Sequence, residues 1–470
     1  MKKNSPPFRP FASQDAMPAL AGPSEAGVPG LGHFDAGDLV RCFLEEFKAL
    51  LFRSRALRHA MDACVRCGAC AEKCHGYIGT GDPRNMPVAR AELLRGIYRG
   101  ALGSPGRVSA FVSRDRAPDP GLMSLLFTYF HQCTLCRRCA FYCPFGIDTS
   151  EVTIAVRQCL AAAGVSSAFI AARALRTLER GNSENLAPAD IARIAGELAS
   201  EIKAEKGVEA KMPVDVKGAG VLLIPPARDL VEHRATMKGY ALVFHRAGIS
   251  WTLSSGACDA LNMGMFLGYP SMKAIDGRIW RHVRELEVKE VVVGESGEGF
   301  RAISLYSDTM NGPLGELLTK PPSSICSFTA DLVERGALRL DRSANKSLRV
   351  TLHDPCHMAR AAGHLEEVRF LVRSAVPYFV EMAPGTIKER SFCCGGGGGL
   401  LAPELSGFRE KSALPRMEAL RDSGATFLAA PCATCRTAFR EVLPRYQEKE
   451  GFFSAPVSAG GIHELIYNAL

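Results

Sequence analysis

The stretch from Ser391 to Leu400 reads S-F-C-C-G-G-G-G-G-L, with two adjacent cysteines followed by five glycines. Adjacent cysteines do not readily bond to each other, because the resulting ring is strained. A glycine run loses much conformational entropy on folding, so a chain keeps it where backbone has to approach another group closely. A flexible loop with two incidental thiols is the simpler interpretation. We favour the other one, a metal cluster bound by neighbouring thiolates with bare backbone packed against it.

The composition is that of an ordinary globular protein with two or three domains. Of 470 residues, 47% are hydrophobic and 23% are charged. The sequence shows neither an apolar run of bilayer-spanning length nor a secretory signal, so we expect a cytoplasmic protein. The formal charge of +8 hints at an acidic protein partner or at membrane headgroups. No basic block alternates with aromatic residues, so nucleic acid is not an expected partner.

The chain has 17 cysteines, which in a reducing compartment indicate metal ligands rather than disulfides. Thirteen of them form three groups, at positions 64–74, 133–143 and 356–435. The others are scattered, and we interpret them as small buried hydrophobic residues. They are Cys42, Cys159, Cys258 and Cys326.

The first two groups share the spacing C-x2-C-x2-C-x3-C, which is a bacterial iron–sulfur signature. A single run is compatible with zinc, but two identical runs predict two cubane [4Fe-4S] clusters, in which the fourth cysteine of each run serves the other cluster. The first cluster is assigned to Cys64, Cys67, Cys70 and Cys143, and the second to Cys133, Cys136, Cys139 and Cys74. Arg137 and Arg138 lie inside the second run. We expect them to be a solvated loop pair, with tuning of the cubane potential as the alternative.

Helical periodicity surrounds both runs, and the 58 residues between Cys74 and Cys133 are too many for a compact βαβ ferredoxin. From residue 218 the hydrophobic pattern changes to short apolar runs separated by helical patterns, and this predicts parallel strands. The runs are V-L-L-I at 221, S-W-T-L at 250, E-V-V-V at 290, R-V-T-L at 349 and T-F-L-A at 426. We therefore predict an α+β multidomain protein. Its parts are a disordered or draped arm (1–37), an α-helical ferredoxin domain (38–163), a helical linker (164–217) and a duplicated α/β domain (218–470).

An internal repeat divides the last domain into a degenerate half (218–345) and a cluster-binding half (346–470). The second half carries Cys356, Cys393, Cys394, Cys432 and Cys435, where the first half has Ala227, Ala257, Cys258, Glu295 and Glu298. Five thiolates exceed the four corners of a cubane. They permit an opened, noncubane [4Fe-4S] cluster with an accessible iron.

The pattern Cys356-x36-Cys393-Cys394-Gly395-x36-Cys432-x2-Cys435 is similar to the CCG motif of heterodisulfide reductases. Together with the two upstream runs, it resembles the D-type subunit of that family. Within the family, C-V-R-C-G-A-C-A-E-K-C-H and G-I-S-W-T-L-S-S resemble DsrK-type subunits, from the DsrMKJOP membrane complex linked to dissimilatory sulfite reduction. Ser296 and Glu298 depart from the pattern G-E-C-G-H-A-W-R expected there, so a paralogue of the Tmc or Hmc type stays an alternative.

The resemblance implies an oxidoreductase acting on sulfur groups, peripheral on the inner face of the cell membrane. A membrane cytochrome b subunit and other redox-complex subunits are the implied partners, and a disulfide or trisulfide on a small DsrC-like sulfur-carrier protein is the implied substrate. The two cubanes would relay electrons, and the five-cysteine cluster would collect two of them. His353 and His357 are candidate proton donors. They serve equally well as hydrogen-bond partners of cluster thiolates or backbone.

Two other functions remain open at this point. One is a non-catalytic electron conduit or assembly subunit, although a subunit that only transfers electrons does not need five thiolates at one site. The other is the iron–sulfur subunit of a glycolate-, lactate- or glycerol-phosphate-type dehydrogenase, in which we expect both halves of the repeat to keep their cysteines.

Overall fold

The computed structural model describes residues 38–102 and 120–470. The predicted N-terminal arm lies outside this range. So do residues 103–119, which belong to a stretch whose glycine, proline and serine content predicts a loop over residues 100–120. Within it, no helix combines the length and the apolar character needed to cross a membrane.

The first part of the chain is helical, as its periodicity predicts. Its helices are α1 (Leu39–Arg53), α2 (Arg55–Asp62), α3 (His75–Thr80), α4 (Pro87–Leu102), α5 (Pro120–His131), α6 (Arg138–Phe141) and α7 (Thr149–Ala162). Phe43 and Phe47 of α1 lie four residues apart on one face and pack into a core with Phe130 of α5 and Leu160 of α7. Ser54 separates the first two helices and accepts a hydrogen bond from the Leu57 amide as the N-cap of α2. The cysteine runs lie on the short segments between these packed helices.

The segment predicted as a helical linker consists of α8 (Ala168–Arg180) and α9 (Pro188–Lys206). Ile191, Leu198 and Ile202 of α9 are buried in the core of the α/β region. Ile170 of α8 packs in a second core with Phe266. Both helices therefore lie against the α/β region as part of its outer layer.

The first α/β half is a parallel sheet with helices between its strands. Its elements are β1 (Val221–Ile224), α10 (Ala227–Val231), α11 (Arg234–Arg246), β2 (Trp251–Thr252), α12 (Tyr269–Glu285), β3 (Glu290–Val293), α13 (Gly297–Asn311), β4 (Ser323–Ser324) and α14 (Ile325–Glu334). The strand order is β2-β1-β3-β4, with Val221 paired to Trp251 on one side and to Glu290 on the other.

The second half has a parallel sheet of order β5-β6-β7. Its elements are β5 (Val350–Leu352), a π-helix (His357–Ala362), α15 (Glu366–Ala375), α16 (Ser406–Ser423), β6 (Phe427–Ala429), α17 (Ala433–Gln447), β7 (Ser458–Gly460) and α18 (Ile462–Ala469). A parallel bridge from Val350 to Phe379 occupies the place that β2 has in the first half. The α+β fold class is confirmed, and so are the predicted strands. β4 and β7 were not predicted, because each has only two or three small residues and no β-branched run.

The two halves pack through their helices and share one hydrophobic core. α11 lies against α18 and α14 against α15. At one crossing Gly239 approaches so closely that a Cβ there would lie 2.0 Å from the His463 carbonyl oxygen. The turns after β3 and β6 also meet, since the Ala433 amide donates to the Glu295 carbonyl over 2.8 Å. This packing brings residues of the degenerate half against the cysteines of the other half.

Candidate metal centres

The first cavity opens at the protein surface next to α2. Its lining includes the four thiols assigned to the first cubane, Cys64, Cys67, Cys70 and Cys143. Three of them come from the first run and Cys143 comes from the second. Cys67 is exposed, and Val65 and Phe145 at the rim are 61% and 42% exposed. The cavity therefore has the donor set that a cubane requires, at a position that another protein can reach.

The second cavity lies deeper, between α3 and the second run. Its lining includes Cys74, Cys133, Cys136 and Cys139. The fourth cysteine of each run thus lies with the other run, in the crossed arrangement that the spacing predicts. Cys139 lines both cavities, so the two candidate cubane sites adjoin each other.

The third group of cysteines gathers beyond the carboxyl ends of β5 and β6, the edge where open parallel sheets bind ligands. All five are 4% exposed or less: Cys356, Cys393, Cys394, Cys432 and Cys435. Hydrogen bonds from three surrounding thiols lower the pKa of Cys393 well below its usual value. Those thiols belong to Cys136, Cys356 and Cys394. Because Cys136 also lines the second cavity, the second and third sites are in direct contact.

The glycine run separates these two sites without adding side-chain bulk. The amides of Gly395 and Gly396 point at the sulfurs of Cys393 and Cys394 over 3.5 and 3.4 Å. A Cβ at Gly398 would lie 2.6 Å from the Cys133 carbonyl oxygen. The run therefore serves two purposes, since its amides face thiols and its bare backbone admits the second cysteine run.

Glu298 reaches this site from the degenerate half. Its carboxylate accepts hydrogen bonds of 2.8 Å from the Gly398 amide and the Thr434 hydroxyl. Burial, reinforced by the nearby Cys432 sulfur, raises the pKa of Glu298 to about 8. The Nε2 atom of His357 lies 3.7 Å from Oε1 of Glu298.

The two predicted histidines have different surroundings. Arg301 donates to Nδ1 of His357 over 3.3 Å, which places the ring proton of a neutral His357 on Nε2. His353 lies with Cys394 and Cys435, and all three ligand atoms are within 4.8 Å of one another. Both ring nitrogens of His353 are buried and lack a hydrogen-bond partner in the described part of the chain. Burial, then neighbouring arginines, lowers the pKa of both rings well below the usual value.

The expectation that Arg137 and Arg138 form a solvated pair is wrong for Arg138. Its side chain is buried, stacks 3.8 Å from the Phe392 ring and donates to the Lys73 carbonyl. Arg157 of α7 is buried as well and donates to the carbonyls of Gly398 and Cys133 over 2.7 and 2.9 Å. Burial lowers the pKa of Arg157 to about 10.

Sequence reasoning missed Glu298 and Arg157 as site residues. In the sequence, Glu298 stands out as the repeat counterpart of Cys435 and as a departure from a motif, and neither feature indicates a contact with the cluster site. Arg157 carries a weak signal, since it stands among apolar residues in A-V-R-Q-C-L, in a helix whose residues 152–161 are all buried. Such a helix leaves no solvent for a guanidinium group, so its arginine has to serve a buried partner.

Thirteen cysteines in three adjoining groups, on a helical domain followed by a duplicated parallel α/β domain, define an iron–sulfur electron-transfer protein. Comparison with known proteins agrees. Residues 60–147 match the 4Fe-4S dicluster domain family and residues 350–440 match the cysteine-rich domain family, CCG.

Similarity to known relatives extends well beyond these two domains. The chain is 34% identical over 466 residues to the Hdr-like menaquinol oxidoreductase iron-sulfur subunit 2 of Archaeoglobus fulgidus, covering 91% of this chain and 83% of that protein. The corresponding protein of Archaeoglobus profundus is also 34% identical, with 91% and 82% covered. The D-type subunit of the dihydromethanophenazine:CoB–CoM heterodisulfide reductase of Methanosarcina barkeri is 26% identical, with 80% and 87% covered.

This chain belongs to the family of Hdr-like menaquinol oxidoreductase iron–sulfur subunits. Its cofactors are two cubane [4Fe-4S] clusters and one noncubane [4Fe-4S] cluster, and it transfers electrons through them. The grouped thiols and two narrow cavities fit that content. The narrower DsrK-type assignment stays a prediction.

Proposed function

We propose that the protein reduces or forms a disulfide or trisulfide on a small DsrC-like sulfur-carrier protein, at a noncubane cluster held by the third cysteine group. The observation that carries this proposal is that Cys136 and Cys393 lie in one buried cluster, because this joins the five-cysteine site to the two cubane sites. For each of the three clusters we propose the cysteine ligands that the spacing of the sequence predicts. The names of the relatives, a menaquinol oxidoreductase and a CoB–CoM heterodisulfide reductase, support both ends of this electron path.

A membrane cytochrome b subunit linked to the quinone pool is the proposed electron partner. The exposed Cys67 and the apolar rim beside it make the first cavity the natural contact point. We place the protein in the cytoplasm, held on the inner face of the cell membrane by its partner subunits.

Cleavage of a disulfide consumes two electrons and two protons, as one S–S bond becomes two thiols. The five cysteines would hold the noncubane cluster, which when bound would supply the two electrons and an iron for one substrate sulfur. Because the site is buried, protons have to come from side chains. Nε2 of His357 and the carboxyl group of Glu298 lie 3.7 Å apart and are the proposed pair. His353 stands closest to Cys394 and Cys435 and is the second candidate donor.

Burial of the five thiols also limits the form of the substrate. With each cysteine 4% exposed or less, a flat protein surface cannot touch them. We therefore propose that the carrier presents its sulfur on an extended chain segment, which can enter where a folded surface cannot.

The same burial favours a second candidate function, an electron conduit in a Tmc- or Hmc-type complex. A conduit needs electron transfer through the third site but no substrate sulfur at its iron. The two functions differ in their response to a disulfide carrier.

Cys394→Ser tests the proposal, with Cys258→Ser as a matched control. Cys258 is buried and holds the position in the degenerate half that Cys394 holds in the other. We expect Cys394→Ser to lose the noncubane EPR signal and disulfide-reducing turnover, while Cys258→Ser keeps both. A Cys394→Ser protein that retained the signal and the turnover would refute the assignment. Turnover absent from the wild-type protein, with an unchanged EPR signal when carrier is added, would favour the conduit.

A further inference from the structure

Arginine side chains surround the second cavity and Cys393 without a carboxylate partner among residues 38–102 and 120–470. We call them the arginine shell; they are Arg90, Arg138, Arg157, Arg360 and Arg416. Arg90 and Arg138 line the cavity itself. Within the described residues each of the five donates to neutral acceptors, namely carbonyl, amide, hydroxyl or sulfur atoms.

The contacts of the shell converge on the second cysteine run and on Cys393. Arg157 holds the Cys133 carbonyl, and Arg360 holds the Cys136 carbonyl over 2.6 Å. Arg416 donates to the Phe392 carbonyl, one residue before Cys393. The Nη2 atom of Arg360 is buried and has no partner in the described residues.

A buried cation without a counter-charge is strongly unfavourable, so such groups are normally paired. The buried arginines outside the shell are paired in this way within residues 38–102 and 120–470. Arg369 is 1% exposed and forms ion pairs with Asp354 and Glu381. The carboxyl group of Glu298 shares Gly398 with Arg157, but its hydrogen bonds go to the Gly398 amide and the Thr434 hydroxyl and not to the guanidinium group. Asp354 lies near Arg416, but its ion pair is with Arg369. No carboxylate in the described residues therefore forms an ion pair with a shell arginine.

The first cavity has no corresponding shell in the described structure. Arg95 and Arg66 line it, and both contact Glu92, over 3.0 and 3.3 Å. Glu92 also pairs with Arg99, so its single charge is shared, but both arginines that line this cavity have a carboxylate partner. The exposed Cys67 places this site near solvent, which screens charge.

We propose that the arginine shell raises the reduction potential of the second cubane above that of the first. A cubane with four thiolates carries a charge of about −2 when oxidised and about −3 when reduced. Unpaired guanidinium groups stabilise the more negative form, and their effect is large where water is excluded. The shell residues act through the field at the cluster and not by contact with substrate, so they are positioning residues.

The ordering has a consequence for electron flow. With both clusters bound, one electron would pass from the exposed cubane to the buried one, and no proton or group would move. The electron would then lie beside Cys393, next to the five-cysteine site. This direction of flow rests on the proposed function, but the ordering of potentials depends only on the cluster content.

An anaerobic EPR redox titration of the fully loaded protein tests the proposal. A soluble gadolinium chelate, which speeds the relaxation of an exposed cluster more than that of a buried one, assigns the two cubane signals. We expect the buried cubane to be reduced first. Arg157→Gln should lower the midpoint potential of that signal and leave the other unchanged, whereas Arg157→Lys, which keeps the charge, should restore most of the shift. Arg193→Gln removes an exposed surface charge and should change neither potential.

The proposal is overturned if the exposed cubane is reduced first, or if Arg157→Gln shifts both signals equally or neither. Arg416→Gln carries the same expectation at an independent position, so loss of the second cluster in the first variant still leaves a decisive measurement. None of these readouts requires substrate turnover. Failure of the disulfide chemistry would therefore leave the ordering of potentials standing, and the reverse also holds.

Discussion

Gly398→Ala tests whether the glycine run is there to admit the second cysteine run. Gly398 has a φ of +64°, and its Cβ would lie 2.6 Å from the Cys133 carbonyl oxygen and 2.9 Å from the Thr134 carbonyl carbon. An alanine at this φ costs about 1–2 kcal/mol. Forcing a methyl group into packed backbone adds about 1–3 kcal/mol. We therefore expect a loss of unfolding free energy of roughly 2–5 kcal/mol, the sum of these two contributions.

Gly207→Ala is the matched control, because Gly207 has a φ of +69° and no atom within 4 Å of its Cβ position. It should lose only the conformational part, about 1–2 kcal/mol. Anaerobic urea unfolding measures both as shifts of the midpoint at constant slope. EPR of the loaded protein should show disturbed second-cubane and noncubane signals in Gly398→Ala and native signals in Gly207→Ala. Equal losses of stability in the two variants, with native spectra in both, would refute the close-approach role of the run.

Three further changes have defined outcomes. Cys143→Ser should remove the EPR signal of the exposed cubane and Cys74→Ser that of the buried one; the opposite result would disprove the crossed ligand sets. In the cluster-free protein, burial raises the pKa of Glu298 to about 8 in the folded state, against 4.5 in the unfolded chain. The free energy of unfolding should therefore fall as the pH rises between these values, by up to roughly 5 kcal/mol. Glu298→Gln should flatten this part of the urea-unfolding pH profile, and an unchanged difference between pH 5 and pH 8 would show that the carboxyl group is ionised in the fold. His353→Phe removes two buried nitrogens that lack a partner in the described residues, and it should stabilise the protein by about 1 kcal/mol. Turnover should fall if His353 donates a proton. Turnover at the wild-type rate would exclude that role.

The architecture was largely readable from the sequence, because it depends on local patterns. Apolar spacing of three and four residues predicted the helices that carry the cysteine runs, and β-branched runs predicted the longer strands. The short strands at Ser323–Ser324 and Ser458–Gly460 were not predicted, because their small residues adopt strand geometry only through pairing with a neighbouring strand. The packing of α8 and α9 onto the α/β region was also missed, because the polar outer faces of these helices resemble those of a solvated linker.

The sequence by itself determined which chemistry this protein carries. Cysteine count and spacing are local properties, and they predict thiolate sets, a crossed pair of cubane sites and a fifth thiol that a cubane does not use. Only the tertiary structure decided what surrounds those thiols. The contacts of Glu298 with Gly398, of Arg157 with Gly398 and of Cys136 with Cys393 join residues more than 90 positions apart. No periodicity encodes such pairs, because they arise when separately folded layers pack together and exclude water. That packing sets the charge around each site and therefore the potential and proton affinity at which it works.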